Sequence, residues 1–128
     1  MKKLLPSALL ALLLTYSSFA FCENWVCSER QNASLCIDLD SIKDEGAYRT
    51  AWTKTIPIKE SIVEGVLVYE IKTLASLDCS KKTLAMLSAT LYGKDKEVLK
   101  ELSNKHPNYR PFAPTSVGEF FYSHSCGK

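Results

Sequence analysis

The sequence predicts an α+β fold: a mainly antiparallel, meander-like β-sheet of about six strands with one C-terminal α-helix packed on a face. Three observations carry that expectation. Residues 66–79 (VLVYEIKTLASLDC) alternate with period two: Tyr69, Ile71, Thr73, Ala75, Leu77 and Cys79 share one face, and Glu70, Lys72, Ser76 and Asp78 the other, with Leu74 the exception. An apolar run over 83–92 follows across a short Ser80-Lys81 turn, close enough to be the hairpin partner of that strand. Near the end, Val117, Phe120, Phe121 and His124 recur at i, i+3, i+4 and i+7, the stripe of an amphipathic helix.

Residues 1–20 read as an export signal. Met1-Lys2-Lys3 gives a positive start, Leu4 to Leu14 an apolar stretch interrupted by Pro6 and Ser7, and Ser18 and Ala20 the small residues before a cut. A membrane span needs about 20 continuous apolar residues, more than this run offers. Cys22 raises lipid attachment as a second reading, but Phe21 is too bulky for a good lipobox, so a soluble chain beginning near Phe21 is favoured. Periplasmic or secreted localisation follows, with outer-membrane anchoring through Cys22 the lesser alternative.

Residues 21–128 suffice for one domain. The whole chain carries 16 Lys/Arg against 14 Asp/Glu. Lys2 and Lys3 leave with the signal, so the mature chain is formally neutral and has no global pull toward nucleic acid or anionic lipid. All five cysteines, Cys22, Cys27, Cys36, Cys79 and Cys126, follow the expected cut. In an exported domain of this size they read as disulfides, with one left over and able to link a homodimer. No Cys-x-x-Cys is present, and spacing alone does not fix the pairing.

The remaining elements follow in order. Asn24–Ser28 and Leu35–Leu39 are expected as short strands, and Asp40 to Lys43 as a helical turn capped by Asp40. Ala47–Ile56 is a strand with Tyr48, Thr50, Trp52 and Ile56 on one face and Arg49, Thr53 and Thr55 on the other, ended by Pro57. Residues 83–92 are apolar at both parities, so the hairpin reading rests on their neighbours. Gly93-Lys94-Asp95-Lys96 is a turn. Glu97–Leu102 has helical propensity, yet a short edge strand continues the meander and is preferred. Pro107, Pro111 and Pro114 mark an irregular stretch, and Ser116-x-x-Glu119 fits a capping box for the last helix.

Taken in order, Trp25, Ile37-Asp38-Leu39-Asp40-Ser41-Ile42, Trp52 with Lys54, Leu77-Asp78-Cys79, Pro114 to Glu119 and the final Cys126 form a pattern that resembles the surface-adhesin protein E family of Gram-negative bacteria. The resemblance spans essentially the whole mature chain. It implies a small antiparallel sheet backed by a C-terminal helix, and a disulfide between Cys79 and Cys126. Cys27 is then assigned to Cys36, closing a hairpin, and Cys22 is left over. It also implies a non-catalytic binding protein that contacts host extracellular-matrix or plasma proteins and needs no cofactor. A periplasmic envelope-binding or inhibitor protein without host contact is the second function class.

Each candidate site also has a plainer structural role. His106 and His124 are the only histidines, and no hydrolase, nucleotide-binding or metalloprotease motif accompanies them. Cys79 with either histidine could form a thiol–base pair, but an oxidised Cys79 has no thiolate. His124 reads better as a hydrogen-bonded residue at the core margin than as a metal ligand. Asp38, Asp40, Asp44 and Glu45 suggest a calcium loop, but Ile42 stands where an oxygen ligand is needed, so helix capping and a solvated acidic turn are preferred. Asn32-Ala33-Ser34 matches a glycosylation sequon and is taken as loop. For a protein partner, Lys94, Lys96, Lys100 and Lys105 could present a basic edge, although Asp95, Glu97 and Glu101 interleave with them. Tyr109 and Arg110 could form an exposed aromatic–Arg strip, with Phe112 packed beneath the helix. Trp25 and Trp52 are expected in the core.

Overall fold

The computed structural model describes residues 23–126. The export-signal reading and Cys22 lie outside the described residues. Ten strands and one helix appear in order: β1 (Trp25–Glu29), β2 (Ala33–Asp38), β3 (Lys43–Glu45), β4 (Tyr48–Pro57), β5 (Ser61–Val63), β6 (Val66–Val68), β7 (Glu70–Asp78), β8 (Thr83–Tyr92), β9 (Val98–Ser103), β10 (Arg110–Pro111) and α1 (Val117–Ser125). Eight strands form one antiparallel sheet along the path β1-β2-β4-β7-β8-β10. β2 and β3 share one side of β4, and β9 and β10 share the outer side of β8, so the sheet is six strands wide, as expected.

Residues directly opposite in an antiparallel ladder point to the same face. One face carries Ile37, Ala51, Ala75 and Leu77, which with Phe121 of α1 form the buried core. The covered residues of the two central strands are small, and this is why the helix fits. Ala51 and Ala75 leave room for the Phe121 ring, which is 1% exposed. Gly118 serves the same close approach, since a Cβ there would overlap the Phe112 side chain. Phe112 packs against the core and beside Tyr122, as expected. Ser116 caps α1 by accepting the Glu119 N–H (3.3 Å), but its own N–H donates to the Ala113 carbonyl (3.3 Å), so only half of the expected capping box forms. The buried helix positions are Gly118, Phe121 and Ser125. The stripe is thus turned from the predicted one, leaving Val117 42% exposed.

Three local expectations are corrected and one is explained. The long 66–79 strand is two: β6 pairs with β5 in a separate hairpin, and β7 starts after Tyr69, whose N–H donates to the Tyr92 carbonyl (2.9 Å). Glu64 and Gly65 both have positive φ (51° and 80°), the geometry of a tight two-residue hairpin turn. The turn after β2 is a 3-10 turn, Leu39–Ser41, capped by Asp38 rather than Asp40. Asp44 and Glu45 lie on strand β3, not in an acidic turn. Finally, β8 is apolar at both parities because a bulge interrupts it. Leu74 faces Ser88 and Ala75 faces Met86, so Leu87 is the extra residue and the apolar set changes parity there.

Two disulfides are present among the described residues. Cys27 and Cys36 are directly opposite on β1 and β2 with Cα atoms 4.0 Å apart, and Cys79 joins Cys126 across 5.7 Å, tying the end of α1 to the end of β7.

Candidate binding face

The face of the sheet away from α1 is open, and it carries the large aromatic side chains. Register places Trp25 opposite Asp38, Trp52 opposite Leu74, Thr50 opposite Ser76, and Glu70 opposite Tyr92. Trp52 is 39% exposed and Tyr48 38%. Trp25 is partly buried. Neither tryptophan belongs to the core, contrary to the sequence expectation. The reason is steric: positions facing the helix accept alanine, and an indole there would hold the helix off the sheet.

The local backbone explains how Trp52 is set. The β2 ladder on β4 ends at Thr53 and the β3 ladder at Thr50, which leaves the Trp52 N–H without a strand partner. It donates to Ser41 Oγ (2.8 Å), and the Ser41 hydroxyl donates in turn to the Asp38 carbonyl (2.7 Å). One serine therefore closes the gap and fixes the 3-10 turn beside the indole.

A cleft of about 650 Å³ opens on this face between Tyr48, Trp52 and Tyr109. Leu74, Leu87 and Ser76 form its floor; Ser41, Lys43 and Glu45 lie along its rim. Tyr109 packs against Tyr48 with ring centroids 5.0 Å apart and ring planes tilted by 32°. Its hydroxyl is 2.7 Å from that of the buried Ser76. A smaller hollow of about 210 Å³ lies across Trp52, bounded by Trp25, Asp38, Lys72 and Tyr92. Trp52 lines both.

Charged groups on the open face have local partners. Lys54 and Lys72 stand directly opposite each other, a repulsive arrangement. Each amine lies over a different ring, Lys54 4.4 Å from the Trp25 centroid and Lys72 5.5 Å from that of Tyr92. Glu23 accepts the Trp25 indole N–H (2.6 Å). Asp38 accepts the backbone N–H groups of Asn24 (3.0 Å) and Asp40 (3.1 Å).

The residues chosen from sequence fall elsewhere, save one. Lys94, Lys96, Lys100 and Lys105 are all exposed on and around the β8–β9 hairpin. Lys100 sits opposite Leu91, on the side of the sheet that α1 covers, and pairs with Glu64 (4.0 Å). Tyr109 and Arg110 separate: Tyr109 lines the open cleft, while Arg110, opposite Leu84, belongs to the helix side. Sequence reasoning missed Tyr48, Trp52 and Ser76 as a group. The alternation puts Tyr48 and Trp52 on one face of their strand, but Trp52 is expected in the core and Ser76 lies on another strand, whose register alternation alone does not report.

Chemically, the arrangement can stack and hydrogen-bond. His124 Nδ1 is bonded to the Phe120 carbonyl (2.9 Å), away from the cleft, at the core margin as expected. Cys79 is joined to Cys126. Among the described residues no group of three or more His, Cys, Asp or Glu is placed to hold a metal.

Residues 25–127 match the model of the surface-adhesin protein E family, from the first residue of β1 to just past the second disulfide. The chain belongs to that family. No curated protein and no solved structure matches it. Family membership supports an adhesin-like, non-enzymatic role with protein partners, and together with the disulfides it fits an exported protein.

Proposed function

We propose that this is an exported, non-catalytic binding protein that attaches to host extracellular-matrix or plasma proteins through the open face of its sheet. The observation that supports this reading is the exposure of Trp52 and Tyr48 on a central strand of a sheet whose core lies on its other face, under the helix. Large exposed aromatic side chains rimmed by polar groups mark interaction surfaces, and Trp and Tyr dominate binding hot spots. They stand on hydrogen-bonded strands, so little freedom is lost on binding. Lys94, Lys96 and Lys105 form a second exposed region, suited to an acidic patch on the same partner. Binding requires no cofactor.

The test is a biosensor panel of purified matrix and plasma proteins with the mature, disulfide-bonded chain. Saturable binding to at least one is expected, weakened about tenfold or more by Trp52→Ala. Binding to none, or binding that survives both Trp52→Ala and Tyr48→Ala, overturns the reading.

A further inference from the structure

We propose that the cleft between Tyr48, Trp52 and Tyr109 is a carbohydrate site that takes a neutral sugar ring, so that the open face recognises the glycan of a glycoprotein. The inference rests on the reading that this face is the contact surface, and adds the class of ligand.

A pyranose presents two kinds of surface: apolar C–H faces above and below the ring, and a rim of hydroxyl groups. The cleft offers a counterpart to each. The Trp52 indole and the Tyr48 and Tyr109 rings, 5.0 Å apart and tilted by 32° to each other, provide aromatic walls. The Ser76 and Tyr109 hydroxyls, 2.7 Å apart, carry two hydrogens between them, and the bond joining them uses one. The other hydrogen and the spare lone pairs are left for a ligand that both donates and accepts. Sugar hydroxyls do both.

Other occupants fit less well. An extended peptide usually binds a sheet through its backbone, but the cleft floor is interior sheet: Leu74 and Ser76 of β7 are paired on one side with β4 and on the other with β8. A purely apolar ligand would strip water from the Ser76–Tyr109 pair without replacing its hydrogen bonds. An ionic ligand finds no net charge, since the charged residues lining the cleft are Lys43 and Glu45, of opposite sign on one strand. The volume lies within the range of about 300–1,000 Å³ typical of small-molecule sites.

The test is saturation-transfer NMR of the mature chain with lactose, N-acetyllactosamine, chitobiose and maltotriose, with a glucuronate-containing disaccharide as the charged comparison. At least one neutral sugar is expected to receive saturation, to lose it with Trp52→Ala, and to bind about tenfold more weakly with Tyr109→Phe, which removes only the hydroxyl. No transfer to any of the four, transfer only to the charged sugar, or transfer that persists in Trp52→Ala overturns the proposal. A second arm compares binding to a glycoprotein before and after enzymatic removal of its glycans. Trp52-dependent binding that survives deglycosylation overturns the sugar site but leaves the open face as contact surface. Binding that is independent of Trp52 overturns both.

Discussion

The covered and open faces of the sheet alternate residue by residue along the same strands, yet their side chains are sorted by opposite rules. On β4, Ala51 is fully buried under α1, while its neighbour Trp52 is 39% exposed on the other side. On β7, Ala75 and Leu77 face the helix, and Leu74 and Ser76 floor the cleft. The sheet positions directly beneath the helix, Ile37, Ala51, Ala75 and Leu77, are small or aliphatic because a helix must come close. The open side holds the bulk that close packing would reject. Hydrophobicity alone therefore does not say which face is the interior; the size of the residues opposite the helix does.

The sharpest way to break this comparison is to truncate one aromatic residue from each side. Phe121→Ala leaves a cavity in the core, and a loss of about 3–5 kcal/mol is expected. Trp52→Ala removes a larger ring that is already partly solvated, and about 1 kcal/mol or less is expected. Urea denaturation of the two variants measures both. Equal losses would make the open face a second core awaiting a cover, and the contrast between the faces would fall.

The disulfides divide along the same line. Cys27–Cys36 closes a short loop between adjacent strands, whereas Cys79–Cys126 spans 47 residues and holds the helix down. In the chain-entropy model, removing the long link by paired Ala substitutions costs about 4 kcal/mol, and removing the short one about 2.7. Denaturation midpoints should fall in that order. A reversed order would mean that the β1–β2 edge, rather than the helix, limits stability.

Much of this architecture was legible in the sequence, because period-two alternation and a helical stripe are direct imprints of one-sided burial. The β7 part of the 66–79 run and the terminal helix follow from it, and the turn at 93–96 follows from its Gly-Lys-Asp-Lys residues. What escaped was set by relations between distant segments. Half of the β5–β6 hairpin hid at the start of a continuous alternating run, and Glu64-Gly65 between Ile62-Val63 and Val66-Leu67-Val68 was its available signal. The buried arc of α1 is turned because Phe112 meets Gly118, a contact no periodicity reports. The cleft needed Tyr109 brought from a proline-rich stretch onto Ser76, thirty-three positions away. The alternation had already placed Tyr48, Thr50 and Trp52 together; only the covering element decides which face stays open.

The smallest expected effect concerns Asp78, a buried acid on the open-face side, opposite Tyr48. Its carboxylate accepts the Ser80 hydroxyl (2.7 Å) and the N–H groups of Lys81 (3.1 Å) and Ser80 (3.0 Å). The Ser80 hydroxyl bond is the main cause that holds its pKa below the ordinary 3.8, with the Lys81 N–H next, against the opposing pull of burial. A carboxyl depressed by folding stabilises the fold above its unfolded value. That contribution fades as the pH falls below 3.8 through the lower folded value, as protonation removes the acceptor at the β7–β8 turn. Denaturation curves taken through that window should show wild type losing stability more steeply than Asp78→Asn, which has no proton to take up there. An identical slope in the two would assign the acid sensitivity to other carboxylates and leave the turn geometry independent of pH. A steeper wild-type slope would show that the open-face side also contributes to stability, through a local hydrogen-bonded turn rather than through packing.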